Sequence, residues 1–241
     1  MAVSEQCVRV HLLDDFGLII DGTRLVQLPA TARRLLTLLA LREEGVIDRL
    51  SAEVLLWPDV CQARSSANLR SAIWRIRQAS DDRAVVAGRT RLQLCEGVTV
   101  DLQVATAQAR KACRDTERRI EQTSRDVGAF SLELLPRWYD DWLVPYRERW
   151  NQARVRALES MARNLIRSQD FFSAQEAALL AVEIEPYRDS AQRVLIEAHI
   201  AEGNFAAALQ QYQRFRAMLQ RELGVPPSAQ LSRLVQPLTA T

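Results

Sequence analysis

The sequence predicts two architectures in series, an α+β segment over residues 7–100 and an all-α segment over residues 101–241. Three observations support this prediction. Short β-branched and apolar runs alternate with turn residues near the N-terminus and again just before residue 100. Beyond residue 101 these strand signals stop. Apolar residues then recur at helical spacing, and a sequence pattern repeats with an offset of 34 residues.

The composition is that of a globular protein, with 241 residues, 48% hydrophobic and 26% charged. Because the formal net charge is only +2, any affinity for a polyanion needs a local basic patch. Nearly all the positive charge is arginine, and Lys111 is the only lysine. The N-terminus has no signal-peptide pattern, and the longest apolar run, 35–41, is too short to span a bilayer. We expect a cytoplasmic protein without a membrane segment.

Residues 7–28 predict a small antiparallel sheet. They contain the runs VRVHLL, FGLII and RLVQL, separated by turn residues. The dipeptide Asp21-Gly22 between two apolar runs is a strong hairpin signal. Two helices are expected next. The first covers 32–44 and ends at Gly45, and the second covers 52–56 with Ser51 as its N-cap.

A basic helix is predicted over residues 63–80, and it is the main functional feature of the N-terminal segment. The apolar positions that recur at helical spacing and would face a core are Leu69, Ala72, Ile73 and Ile76. Seven arginines but only two acidic residues lie between positions 64 and 91. Trp74 lies within the charged side, where a large aromatic ring is costly unless it contacts a neighbouring element or a ligand. A polyanion is the expected ligand.

A short basic hairpin should follow this helix, because AVVAG and RTRLQL surround a turn at Gly88-Arg89. Sheet, helices, basic helix and hairpin in this order predict a winged helix-turn-helix of the response-regulator output type, whose helix enters the major groove of DNA. For the groove surface we predict Arg70, Ser71, Trp74 and Arg75. For the phosphates we predict Arg64 and Arg77, and for the wing Arg89 and Arg91.

The segment after residue 101 predicts helices only. One helix is expected over 102–114, and the polar stretch 115–124 is expected to be flexible. Gln169-Asp170-Phe171 recurs as Gly203-Asn204-Phe205, and Ala174 recurs as Ala208, each 34 residues later. This period is that of tetratricopeptide repeats, so we predict a tetratricopeptide-like helical interaction domain.

Enzymatic chemistry is not expected, because no catalytic constellation is present. The two histidines are isolated in the sequence, and neither a phosphate-binding loop nor a dinucleotide-binding fingerprint occurs. The four cysteines form no C-x-x-C pair, so reduced thiols are expected and neither a metal site nor a disulfide framework is. We predict no cofactor.

Three stretches together resemble the Streptomyces antibiotic regulatory protein (SARP) type of transcriptional activator. They are NLRSAIWRIR at 68–77, Leu135-Pro136 through WYDDW at 138–142, and RELGVPPS at 221–228. The resemblance covers roughly residues 10–235 and implies a winged helix joined to a bacterial transcriptional activator domain. It also implies an activator that binds direct repeats in double-stranded DNA as a side-by-side homodimer and contacts RNA polymerase and its sigma factor.

Two alternatives remain open from the sequence. The basic helix could bind an acidic protein, in which case the chain would be a repeat-based interaction scaffold. A repressor would use the same DNA chemistry as an activator. The target sequence, the regulated genes and any small-molecule effector are not encoded in these patterns.

Overall fold

The computed structural model describes residues 7–25, 28–114 and 127–239, so the stretch expected to be flexible at 115–124 lies outside them. The chain divides into two compact units. The first unit comprises the described residues within Met1–Ala105 and Glu133–Arg147, and the second comprises those within Thr106–Leu132 and Glu148–Thr241. The boundaries 7–100 and 101–241, expected for two domains, stay a prediction.

The first unit begins with a four-stranded sheet in the order β3-β2-β1-β7. Its strands are β1 (Val8–His11), β2 (Gly17–Ile20), β3 (Thr23–Leu25) and β7 (Thr99–Val100). The predicted hairpin at Asp21-Gly22 is confirmed. Both residues have positive φ, 49° and 83°, as a two-residue hairpin turn requires. β7 pairs parallel to β1, and positions 26–27 of the expected third strand lie outside the described residues.

Three helices pack against one another in this unit: α1 (Ala30–Ala40), α2 (Arg49–Leu56) and α3 (Gln62–Ala79). The four leucines of α1 are fully buried, which explains its apolar run. The prediction that Ser51 caps α2 is wrong, because the helix already begins at Arg49. No side chain caps it. The backbone N–H of Arg49 donates to the carbonyl oxygen of Thr90 instead, at 2.9 Å.

The predicted hairpin is present as part of a three-stranded sheet in the order β4-β6-β5. The strands are β4 (Val46–Asp48), β5 (Val85–Ala87) and β6 (Arg91–Leu94). We call β5, β6 and the turn between them the wing. Gly45 precedes β4 with φ of 65°, and a Cβ there would lie 3.3 Å from Cβ of Leu94, so the chain needs glycine at this point.

Residues Glu133–Arg147, which we call the return segment, pack onto the first sheet. The N–H of Leu135 donates to the carbonyl of Leu12 at 3.0 Å, and the N–H of Asp14 donates to the carbonyl of Glu133 at 2.7 Å. Trp138 stacks 6.0 Å from Phe16, ring centroid to ring centroid. Although far along the chain, this segment therefore completes the first unit.

The second unit is helical in its described part. It includes most of α4 (Asp101–Arg114), a helical stretch at 127–131, and most of α5 (Val144–Arg167). The remaining helices are α6 (Phe171–Ile184), α7 (Asp189–Glu202), α8 (Phe205–Glu222) and α9 (Ala229–Val235). None of the helices in the described ranges is long and apolar enough to cross a bilayer.

The predicted repeat is confirmed in its local geometry. Asp170 caps α6 by accepting from the N–H of Ser173, and Asn204 caps α8 by accepting from the N–H of Ala207, both at 3.2 Å. The preceding residues, Gln169 and Gly203, both have positive φ. Ala174 and Ala208 are fully buried, as close helix packing requires.

Candidate nucleic-acid interface

Helix α3 is held by its apolar side, as the sequence predicts. Leu69, Ala72, Ile73 and Ile76 are buried, and α3 packs on α1 and α2. The first turns of α3 are fixed by Glu53 of α2, whose carboxylate accepts from the hydroxyls of Ser66 at 2.8 Å and Ser65 at 3.4 Å. The rotation of α3 about its axis is therefore set by both packing and hydrogen bonds.

All eight side chains predicted for DNA contact are exposed. They are Arg64, Arg70, Ser71, Trp74, Arg75, Arg77, Arg89 and Arg91. The first six lie on α3, Arg89 lies in the turn of the wing, and Arg91 begins β6. Helix α3 also contacts strand β5 of the wing, so the two elements are neighbours. We call the eight residues together the basic face.

Trp74 is 54% exposed and contacts its neighbour on the same helix. The guanidinium carbon of Arg75 lies 4.8 Å from the centroid of the Trp74 ring. This cation–π contact restricts the rotamers of Arg75, whose side chain stays exposed. Arg75 belongs to the same helix, so the expectation that the ring contacts a neighbouring element or a ligand stays a prediction.

Two arginines of the basic face are paired with carboxylates. Arg77 forms an ion pair with Asp82, which raises the pKa of the guanidinium chiefly through the hydrogen bond between them. Arg91 lies 3.3 Å from Asp48, Nε to Oδ1. Within the described ranges no ion pair involves Arg64, Arg70, Arg75 or Arg89. Exposed pairs of this kind are weak and can exchange for phosphate.

A hollow of about 700 Å³ lies between α3 and the wing. Its lining includes Arg49, Arg70, Trp74, Arg77 and Ala87. Arg49 is a residue that sequence reasoning missed, because it lies outside the arginine-rich stretch. Its Nε donates to the carbonyl of Gly88 at 3.0 Å, so it ties the start of α2 to the wing. No spacing signal in the sequence marks this contact.

Within the described ranges, no three His, Cys, Asp or Glu side chains come close enough to hold a metal ion. The four cysteines are free thiols. His11 lies 3.6 Å from Asp101, Nδ1 to Oδ2. Burial lowers the pKa of His199, partly opposed by the charge of Glu202.

Comparison with known proteins adds a family and a fold. Residues 98–238, more than half of the chain, match the family model described as Bacterial transcriptional activator domain. The fold is similar to a solved structure of Mycobacterium tuberculosis EmbR in complex with a low-affinity phosphopeptide, with a TM-score of 0.82 and 21% identity. The alignment covers 97% of this chain and 65% of that one. No curated protein gives a significant sequence match.

Proposed function

We propose that this chain, which belongs to the bacterial transcriptional activator domain family, activates transcription by binding specific promoter sequences through its basic face. Family membership makes it a transcriptional regulator, and both family and fold agree with the SARP resemblance. The observation that supports DNA binding is the basic face itself. An anchored helix and an adjacent wing both present exposed arginines.

In this proposal α3 enters the major groove. Arg70 and Arg75 donate to guanine O6 and N7. Each such bidentate contact favours guanine over another base by about 1–3 kcal/mol. Ser71 and Trp74 complete the groove surface. Arg64 and Arg77 on α3, and Arg89 and Arg91 on the wing, bind phosphates. They supply affinity that does not depend on sequence.

The further proposal is that two copies bind side by side on direct repeats and recruit RNA polymerase through its sigma factor. A bacterial regulator of this kind works in the cytoplasm, where the promoters are. No cofactor is required by this mechanism, since binding energy alone positions the polymerase.

The test is a DNA-binding titration with Arg75→Ala, after the protected sequence has been mapped on DNA flanking the chain's own gene. We expect the affinity for this site to fall by about tenfold or more, while affinity for random duplex changes much less. Arg216→Ala is the matched control, because Arg216 is also an exposed helical arginine but lies on α8.

An unchanged site affinity and sequence preference in Arg75→Ala would refute the assigned role. A wild-type chain that does not retard duplex DNA even at low salt would favour the interaction scaffold, because a phosphate-binding surface must bind strongly there.

A further inference from the structure

The second unit carries an exposed stripe on α6 that combines apolar and acidic residues. Phe172, Glu176, Leu179 and Glu183 follow one another at helical spacing and lie on one side of the helix. All four are exposed, Phe172 by 73% and Leu179 by 47%. α6 contains no lysine or arginine. We call this side the acidic stripe. Its charge repels DNA, and its exposed phenyl ring favours a protein partner.

Helix α4 carries a surface of the opposite chemistry. Over 106–114 it has three basic residues and no acidic one. Arg110, Lys111 and Arg114 are exposed, and together with Ala107 they line a hollow of about 340 Å³. We call this the basic hollow. The hydroxyl of Ser160 on α5 donates to the carbonyl of Ala112 at 3.0 Å, so α4 is fixed on the opposite side of its axis.

The two surfaces are complementary in charge. The small side chain of Ala107 leaves room for an aromatic ring, and the cationic groups of Lys111 and Arg114 attract both a ring face and carboxylates. Glu176 and Glu183 are about 10 Å apart along α6, within reach of the long side chains of Lys111 and Arg114. Because both surfaces are exposed within one copy, we infer that the acidic stripe of one copy docks in the basic hollow of a second copy.

This interface is heterologous, since each partner contributes a different surface. Such an interface relates neighbours head to tail, which is the arrangement that two copies adopt on direct repeats. The inference therefore rests on the proposed pairing on DNA and adds the surfaces that form the pair. Exposed ion pairs contribute little, so the contact is weak in free solution. Adjacent DNA sites strengthen it by raising the effective concentration.

The decisive experiment uses reciprocal charge reversal in the full chain, followed by sedimentation equilibrium without DNA. One variant is E176R/E183R and the other is K111E/R114E. Each variant alone should be monomeric, because its two surfaces now carry the same sign of charge. An equimolar mixture should associate as the wild type does, because the basic hollow of the first variant meets the acidic stripe of the second. Association should weaken as salt is raised.

A second variant tests the aromatic contact. Phe172→Ala should weaken self-association about tenfold, as loss of a central aromatic anchor does. Leu223→Ala is the matched control and should associate as the wild type does. Leu223 is also a large exposed hydrophobic residue of the second unit, but it lies outside both surfaces. Circular dichroism checks that every variant is folded.

Two results would overturn the inference. One is a mixture of the reversed variants that associates no better than either alone. The other is a wild type that stays monomeric at about 0.5 mM protein in low salt, where charge attraction is least screened. Neither result involves DNA, so they are independent of the proposed function. On DNA, both reversed variants should bind a single site as the wild type does and lose cooperativity on two adjacent sites.

Discussion

At the scale of single residues, the end of α3 limits the charge of the basic face. Asp81 and Asp82 follow the helix with φ of 48° and 61°, in the left-handed region. The N–H of Asp82 donates to the carbonyl of Arg77 at 2.9 Å, and its carboxylate pairs with the guanidinium of the same residue. The turn therefore places a negative charge against one of the arginines that we assign to phosphate.

We predict that Asp82→Asn increases non-specific DNA affinity. Asparagine tolerates the left-handed conformation, so the turn is kept while the negative charge is removed. Affinity for random duplex should rise about two- to fivefold. The slope of log affinity against log salt concentration should steepen by about 0.9, which is the change expected for one additional phosphate contact. Fluorescence anisotropy at several salt concentrations measures both. Glu96→Gln, which removes an exposed carboxylate from the turn before β7, should change the slope much less.

We predict that the stability of the second unit depends on pH through His199. Because burial lowers its pKa in the folded protein, the unfolded chain binds a proton at higher pH than the folded one does. The free energy of unfolding should therefore be greatest above about pH 6.5, the unfolded value. It should fall as pH drops from there through the lower folded pKa. His199→Gln should flatten this dependence of Tm on pH. A wild-type Tm that rises on acidification through this window would contradict the prediction.

The sequence predicts the members of the basic face but not their partners. Arginine spacing and the position of Trp74 are local properties, so they can be read from the helical period alone. The pairing of Arg91 with Asp48, and the bond from Arg49 to the wing, join residues about 40 positions apart along the chain. Such contacts depend on how β4 pairs with β6, which no local pattern encodes.

At the scale of elements, helices and turns were predicted correctly from the sequence where a periodic pattern extended over enough residues or a turn dipeptide was distinctive. The helical repeat and the hairpin at Asp21-Gly22 are examples. β4 was missed because its three residues, Val46–Asp48, are too few to show alternation. The aromatic residues between positions 138 and 150 differ widely in burial. Trp150 is buried against Phe130, but Tyr139 is 91% exposed.

Arg147 holds the return segment in shape. Its guanidinium donates to the carbonyl oxygens of Leu134, at 2.9 Å, and of Leu135 and Trp138. Leu134 and Leu135 are buried, so their carbonyls have little access to water. Arg147→Ala should lower the free energy of unfolding by about 2–4 kcal/mol, because it leaves several acceptors without a donor.

Urea denaturation measures the loss in Arg147→Ala. Glu148→Ala is the control. Glu148 is the next residue along the chain and its side chain is exposed, so this variant should unfold nearly as the wild type does. A loss of the same size in both variants would mean that helix α5 is sensitive to any substitution here and that the three acceptors do not matter.

At the scale of the whole molecule, the first unit is not continuous in sequence. Both stretches of chain that lead out of it are fixed to the end of β1. The carboxylate of Asp101 accepts from the N–H of Leu12 at 2.9 Å, and the N–H of Leu135 donates to the carbonyl of the same residue. A winged helix predicted to end at residue 100 therefore lacks contacts that the folded unit contains.

We predict that a fragment of residues 1–147 melts at a higher temperature than a fragment of residues 1–105. The shorter fragment loses the return segment, including the stacking of Trp138 on Phe16 and the ion pair between Arg34 and Asp140. Thermal melts followed by circular dichroism compare the two fragments. Equal melting temperatures would show that the first 105 residues fold without help from the return segment.

Lys111 also limits the positions at which amine-reactive reagents can label the protein. It is the one lysine in 241 residues, and its side chain is exposed beside Ala107. An acylating reagent would therefore label a single side chain, apart from the α-amino group. The labelling rate, followed by mass spectrometry, reports directly on whether this part of α4 is covered in any assembly that the protein forms.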